Sequence, residues 1–473
     1  TVFDGSNTSG FQRTTLIATD GTIVTSYGDV GIDVICLEED SARKLDTQST
    51  DSGEIVIYTL DRLGVPLVEI ATSPQVQTPE HAKETALALG TLLRDTRMVR
   101  RGLGSIRQDL NVSIACGDRV EIKGCQDLEW IPKIIQLEMV RQLHFYRLAN
   151  TLRAELEMPL LPPDRRNSEV EIESQISKTM EEKIPLKIQN VGDAFSNCKS
   201  KMIEKTISNG GVMLAVKLPY LGGKLGSKTL DSDGAQLPRL GRELASAAKL
   251  AGVAGIFHSD ELPAYGITEI EVNSVKELLD LNNNDAFALC CAPQWQAELA
   301  LESVINRARM AWHRIPQEVR NVVISKGAPQ DGTTSAMRPL PTGARMYPET
   351  DVPTLELRES YWKEISKKLP LSQSERIDRL KSFEISSDQQ KQLVSRQLDD
   401  EFFAGANGNL DPNLGKLPAK AWASMLLDTT RSQIAEGLQV SINDIEFRIL
   451  GLSLIHISEP TRLRRISYAV FCL

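Results

Sequence analysis

An α+β fold, a large antiparallel sheet with long helices packed behind it, is what this sequence predicts, and three observations predict it. Short β-type runs at 14–18, 22–25, 31–37 and 54–60 are separated by Gly, Asp and Ser turns. Two well-marked helix starts follow, at Thr78 and Asp127. Between 188 and 288 strand-like and helical patterns alternate again, on the scale of a second compact α+β unit.

Taken in order, the segment up to about 74 is sheet. Thr78-Pro79-Glu80 then supplies a cap, a proline for the first turn and an acid near the helix N-terminus. Ala82, Ala86, Leu89 and Leu93 keep helical spacing, and Gly102 closes the region. From 109 to 114 polar Asp109, Asn111 and Ser113 alternate with apolar Leu110, Val112 and Ile114, the period of a strand with one wet and one packed face. A wet face of Asp, Asn and Ser suits a site wall, and an ordinary solvated face is the alternative. A second strand is expected near 119–123. Asp127 caps a long helix whose Ile131, Ile134, Val140 and Leu143 are expected to face a core.

Residues 163–188, rich in Pro, Arg, Asn, Ser and Glu, read as a linker. The 188–288 unit behind it is expected to hold its own core, so that its deletion spares the rest. A helix at 294–312 leads to 337–353, where four prolines, a glycine, two arginines and two acids make a rigid, charged, non-helical segment. From 354 the pattern is helical. Ser372 with Glu375 and Ser386 with Gln389 form successive capping boxes, and Pro418, Trp422, Met425 and Leu426 mark a further helix. A small all-α unit of this kind usually positions or binds.

The chain of 473 residues exceeds one core, and roughly three domains is the expectation. With 54 basic and 63 acidic residues the net charge is −9, which excludes a protein that holds nucleic acid by bulk charge. Local contact is left to Arg94, Arg97, Arg100, Arg101 and Arg107, which alternatively complement a helix end. Seven cysteines without zinc or redox spacing read as reduced thiols of a cytoplasmic protein. No run reaches the roughly 18 apolar residues of a membrane span. The start at Thr1 reads as a truncation, and 453–473 as a non-native read-through excluded from the fold.

Several long motifs then occur in one order. They are Gly5-Ser6-Asn7-Thr8-Ser9-Gly10-Phe11-Gln12-Arg13, Leu37-Glu38-Glu39-Asp40, Asp61-Arg62-Leu63-Gly64-Val65-Pro66-Leu67-Val68-Glu69-Ile70, the run 106–114, Val120-Glu121-Ile122-Lys123-Gly124, and 338–353. Together they resemble the kinase subunits of the tRNA-dependent amidotransferases, the B/E family, over nearly all of 1–452. The resemblance is nearest to the archaeal E branch, which serves glutamyl-tRNA(Gln), because an aspartyl-tRNA-synthetase-type α+β module is expected there where 188–288 sits.

The resemblance implies a cradle-like catalytic domain from 1–187 and 289–353, an inserted module at 188–288 and a helical domain at 354–452. It implies ATP-dependent phosphorylation of the γ-carboxylate of glutamate on tRNA(Gln), followed by amidation. The ammonia would come from an asparaginase-like amidase partner of the D type, in an assembly of two D and two E chains. No DNA and no membrane enter. The chemistry asks for oxygen ligands to magnesium and for cations on phosphate. By motif position Glu39 and Glu69 are expected to hold magnesium, with Glu38 as the alternate, since adjacent strand residues face opposite ways. Arg107, Asp109, Asn111, Lys123 and Arg345 are the expected catalytic residues, and Ser6, Asn7, Arg13 and Arg338 the expected ATP contacts. The family's first strand, with a metal-ligating histidine in a Gly-Leu-Glu-x-His type motif, is not matched, which implies an inactive fragment. Two other functions stay open: a non-catalytic tRNA- or partner-binding paralogue, and a B-type enzyme that also acts on Asp-tRNA(Asn). A surface salt bridge is the plain alternative for Glu121 and Lys123.

Overall fold

A computed structural model describes residues 14–40, 42–50, 53–100, 104–165, 169–226, 239–325, 328–339, 356, 358–412 and 414–427, with 447, 450, 451 and 454. It is a mixed α and β structure. Strands β1 (Thr14–Thr25), β2 (Gly28–Glu39), β3 (Arg43–Thr50), β4 (Gly53–Thr59) and β5 (Pro66–Thr72) precede helix α1 (Pro79–Asp95). Then come β6 (Leu110–Val112), β7 (Val120–Lys123), α2 (Ile131–Glu155), α3 (Glu169–Lys183), β8 (Ile188–Asn190), α4 (Lys201–Ser208) and β9 (Val212–Leu218). The order continues with α5 (Leu240–Lys249), β10 (Phe257–His258), α6 (Glu269–Leu278), β11 (Ala286–Ala292), α7 (Gln294–Arg309), β12 (Glu318–Ser325) and β13 (Ala328–Pro339). Helices α8 (Glu359–Lys367), α9 (Gln373–Leu380), α10 (Ser387–Ser395), α11 (Asp399–Asn407) and α12 (Ala419–Leu427) complete it.

The chain divides into two compact units, Thr1–Leu89 with Arg101–Val352, and Gly90–Arg100 with Pro353–Leu473. In the first, one large antiparallel sheet was the expectation; among the described residues there are four sheets instead, ordered β1-β2-β5, β3-β4, β13-β12-β7-β6 and β10-β11-β9-β8. The runs at 14–18 and 22–25 belong to one strand, which pairs with β2 from Thr14↔Glu38 to Thr25↔Gly28 across a tight turn. Gly28 closes that turn at φ +128°, a backbone conformation that a side chain disfavours. The long first strand escaped the pattern because Asp20 and Gly21 read as a turn, whereas Gly21 pairs with Ile32 inside the ladder.

The expected linker at 163–188 is a correction. It holds helix α3, whose Ile176 and Met180 are buried. Its acids misled: Glu169 is not solvated but takes two bonds from Arg314, at 3.1 and 3.0 Å. The 188–288 segment has an apolar cluster of its own, with Val191, Phe195, Ile203, Met213, Val275 and Phe287 buried in it, but it also lends residues to the core of the surrounding chain. One apolar cluster runs from Val112, Ile122, Ile134 and Leu152 through Ile176 and Met180 to Leu214, Val216, Leu244, Ala288, Val304 and Trp312. The boundary expected at 288 falls inside β11.

The α2 helix shows what binds these parts. Ile131 and Ile134 are buried as expected, but Val140 and Leu143 are only half-buried, and Glu138, Arg141 and Gln142 occupy the inner face. Arg141 reaches Glu138 at 2.9 Å, Glu243 of α5 at 3.0 Å and Glu318 of β12 at 2.7 Å. Arg320 binds Glu243 at 3.0 Å and Glu318 at 2.8 Å, and Arg307 binds the same two at 2.7 and 3.3 Å. Burial alone would raise the Glu243 carboxyl, but Arg141, Arg320 and Arg307 hold it well below the usual carboxylate range. Three arginines thus share three glutamates with almost no water, an arrangement tolerable only while every partner stays.

In the second unit Leu380, Leu393, Phe402, Trp422 and Leu426 form the core. Both expected capping boxes form, Ser372 with Glu375 and Ser386 with Gln389. Leu454, inside the stretch expected to lie outside the fold, is buried in this core. Asp399 is fully buried and receives Arg376 at 2.6 Å, Arg97 at 3.2 Å and Arg379. Among the described residues no helix is long and apolar enough to cross a membrane.

The network predicts that Glu243→Ala, which leaves three buried arginines with two carboxylates, destabilises the first unit by about 3–5 kcal/mol. A urea titration followed by tryptophan fluorescence reads this as an earlier midpoint. An unchanged midpoint would mean that the network is dispensable.

Candidate active site

Two of the small sheets supply the charged residues, and register decides which of them meet. In the β1-β2-β5 sheet Cys36 pairs with Glu69, and Glu38 pairs with Leu67 on one side and Thr14 on the other. Paired residues share a face and neighbours along a strand alternate. Glu38 and Glu69 are therefore diagonal partners on one face, within reach of long side chains. Glu39 pairs with Pro66 and lies on the opposite face. The expectation that Glu39 accompanies Glu69 is corrected here: Glu38, the alternate, does.

The two carboxyl groups are hydrogen-bonded to each other. Burial, then the charge and the hydrogen bond of Glu69, push the Glu38 carboxyl up to about 7, against smaller pulls from Thr14 and Lys123. Two carboxylates this close cannot both ionise without a cation or a shared proton. In the ion-free chain the shared proton relieves the repulsion, and a cation would do the same. Glu38 and Glu69 offer oxygen ligands only, and magnesium is commonly held by one or two carboxylates with water and phosphate filling the rest. Among the described residues no group of three or more His, Cys, Asp or Glu is placed to hold a metal. The donor pair fits an ion that its substrate completes.

Lys123 comes from the β13-β12-β7-β6 sheet. Leu110↔Ile122, Asn111↔Glu121 and Val112↔Val120 pair there, so Val112, Val120 and Ile122 point into the core. Asp109, Asn111, Glu121 and Lys123 share the other face, as the alternation at 109–114 predicts. Lys123 Nζ contacts Glu121 at 2.5 Å and also binds Asp109. Burial would lower the Lys123 ammonium, but the bonds to Asp109 and Glu121 outweigh it and raise its pKa. The salt bridge between Glu121 and Lys123 is thus real, and Lys123 still acts on Glu38 through space.

Arg107 pairs with Asp40 at 3.4 Å, and Arg62 approaches the same Asp40 oxygen at 3.9 Å. The backbone of Arg338 pairs with Val319, which in turn pairs with Glu121. Two strand spacings, roughly 10 Å, therefore separate Arg338 from Glu121. Ser6, Asn7, Arg13 and Arg345 lie outside the described residues, as does most of the 338–353 loop. The arginines grouped by the sequence do not act together. Arg97 serves Asp399, Asp400 and Glu401 in the second unit, while Arg107 belongs to the first. Sequence reasoning missed Asp40 and Arg62, which lie within the quoted motifs, and Thr14, which register alone places beside Glu38.

A family model described as the GatB/GatE catalytic domain matches residues 1–363. The chain belongs to this family. Among curated relatives it is 44% identical over 414 residues to the E subunit of the glutamyl-tRNA(Gln) amidotransferase of Thermococcus gammatolerans, covering 87% of this chain and 60% of the relative. The E subunit of Pyrococcus furiosus is 44% identical over 402 residues, with 85% and 58% covered. That of Methanocaldococcus jannaschii is 42% identical over 396 residues, with 83% and 56% covered. The chain thus spans somewhat less than two thirds of the length of these members of the family. The matched region holds Glu38, Glu69, Asp109, Glu121 and Lys123.

The carboxylate pair has a signature in pH. Glu38 holds its proton to about 7 in the folded chain, against 4.5 ordinarily, so the folded state binds the extra proton between those values. Stability is therefore expected to fall as pH rises from 4.5 to about 7, and Glu38→Gln removes that part of the slope. A carboxyl-carbon NMR titration of wild type, with Glu69→Gln lowering the Glu38 midpoint, checks it. A wild-type Glu38 that titrates near 4.5 would contradict the pairing.

Proposed function

We propose that this chain carries the catalytic domain of a kinase and transamidase that converts Glu-tRNA(Gln) to Gln-tRNA(Gln). The observation that carries the reading is the Glu38–Glu69 carboxyl pair beside Lys123, within a chain of the GatB/GatE family. The relatives' name, which specifies a glutamyl-tRNA(Gln) amidotransferase, supplies the substrate. A carboxylate resists attack by ammonia because its charge repels a nucleophile and oxide is a poor leaving group. Transfer of the terminal phosphoryl group of ATP to the γ-carboxylate makes an acyl phosphate, and ammonia then displaces phosphate and loses a proton to leave the amide.

The residues of this chain suit the first half. Glu38 and Glu69 would hold Mg2+, which supplies charge neutralisation between phosphate oxygens. Lys123 is kept charged by Asp109 and Glu121 and places a point charge on the same side. Asn111 shares that face and offers an amide to the aminoacyl end. Arg107, half-exposed, suits a planar bidentate grip on phosphate. Ammonia in this reading comes from an asparaginase-like amidase partner of the D type, in a cytoplasmic hetero-oligomer of two D and two E chains.

Binding of Mn2+, a paramagnetic stand-in for Mg2+, tests the reading without turnover. In the presence of ATP, Glu69→Gln and Glu38→Gln are each expected to weaken Mn2+ binding at least about tenfold, or roughly 1.4 kcal/mol, by electron paramagnetic resonance. Lys123→Met should lower phosphoryl transfer from ATP to Glu-tRNA(Gln) with little change in Mn2+ affinity. A chain that binds tRNA with equal affinity in all variants and takes up no Mn2+ with ATP would be a binding paralogue, and the enzymatic reading would fall.

A further inference from the structure

Beyond the carboxylate pair, one group of charges is left with more donors than it uses. Asp40 follows the end of β2, two residues after Glu38. Its N–H donates to Val65 O at 2.9 Å, and Gly64 N–H donates to Asp40 O at 3.3 Å. The end of β2 is thereby stitched to the turn that enters β5, four residues before Glu69. Arg62 stands in that turn, which closes on its carbonyl through Val65 N–H at 3.0 Å. Arg107 arrives from the segment before β6, two residues ahead of Asp109.

Both guanidinium groups converge on one oxygen, Asp40 Oδ2, Arg107 Nη2 at 3.4 Å and Arg62 Nε at 3.9 Å. A committed pair of this kind settles at about 2.7–2.9 Å. Asp40 therefore takes one long bond from Arg107 Nη2 and screens Arg62 without taking its Nε–H. The Arg62 Nε is buried and has no hydrogen-bond partner, while the Arg62 and Arg107 side chains remain 29% and 50% exposed. Two fixed positive charges facing one carboxylate, with an unused buried donor and an open side, are complementary to an anion with several acceptor oxygens.

We propose that Arg62 and Arg107 form a phosphate clamp, with Asp40 as the positioning residue that aims both, and that Arg62 is a substrate-binding residue of this site. Phosphate oxygens replace the long contacts to Asp40 with short bidentate ones. The carboxylate then orients the far side of each guanidinium. The source of the phosphate, nucleotide or RNA, rests on the amidotransferase reading; the clamp does not.

The experiment measures, with the full chain, calorimetric affinity for inorganic tripolyphosphate, adenosine and a tRNA transcript, each with Mg2+. Arg62→Ala is expected to weaken tripolyphosphate at least tenfold, leave adenosine unchanged and keep the wild-type melting temperature. Arg62→Lys should rescue little, since it restores charge without the fork. Asp40→Asn should weaken tripolyphosphate less than Arg62→Ala and add nothing in the Asp40→Asn, Arg62→Ala double variant. If Arg62→Ala does not fold, Arg62→Gln replaces it in every arm. A loss seen with tRNA but not tripolyphosphate makes the phosphate an RNA one and upholds the clamp. Unchanged affinity for both overturns it. Mn2+ binding separates the two proposals: loss in Glu69→Gln with a neutral Arg62→Ala sinks the clamp alone, and the reverse sinks the metal pair alone.

Discussion

Six charged side chains, five of them buried and Arg307 nearly so, govern how the first unit is put together. Arg141, Arg307 and Arg320 sum to the charge of Glu138, Glu243 and Glu318 with opposite sign, so the group is neutral only when complete. Its members come from α2, α5, α7 and β12, elements far apart in sequence. Apolar packing of the same elements is adaptable, but a buried guanidinium accepts few substitutes for its carboxylate. The 188–288 segment is therefore bolted to the surrounding chain by Glu243 as well as by its contribution to the shared apolar cluster.

The same network bears on the site above it. β12 carries Glu318 and Arg320 and runs parallel to β7, with Arg320 paired to Ile122. Ile122 points inward while Glu121 and Lys123, its neighbours, point outward. The strand that presents Lys123 thus rests against the strand anchored by the buried charges. Rigid support of this kind is what a charged site needs, because a lysine held between two acids does not wander toward a third. The carboxyl pair, by contrast, depends on the ladder between β2 and β5 and on the stitches from Asp40 to Gly64 and Val65.

Much of this was legible beforehand, and the limits have physical causes. The alternation at 109–114 placed Asp109 and Asn111 on a wet face because strand period is a local property. The capping boxes at Ser372 and Ser386 form for the same reason. Whether Glu38 or Glu39 joins Glu69 was not legible, since a register differs by one residue without any change in composition. Residues 163–188 read as a linker because their Pro, Arg, Asn, Ser and Glu composition outweighs the helical pattern of α3; Glu169 and Glu173 are met by Arg314 and Arg153, from positions no local pattern connects. The 188–288 segment keeps the apolar cluster expected of it, but its tie to the rest was not legible, for nothing around Glu243 announces Arg141, Arg307 and Arg320 at 102, 64 and 77 residues away.

The parallel pairing of β7 with β12 also sets a timetable for the ribosome. Residues 120–123 leave the exit tunnel long before 318–325 exist, and at about 5–20 residues per second the interval is roughly 10–40 s. Through that interval β7 has its β6 neighbour but an unfilled edge on the other side, and Arg141 has Glu138 at once and Glu243 only from about midway, with Glu318 still to come. Nascent chains halted in this window present an open strand and an incompletely paired cation together.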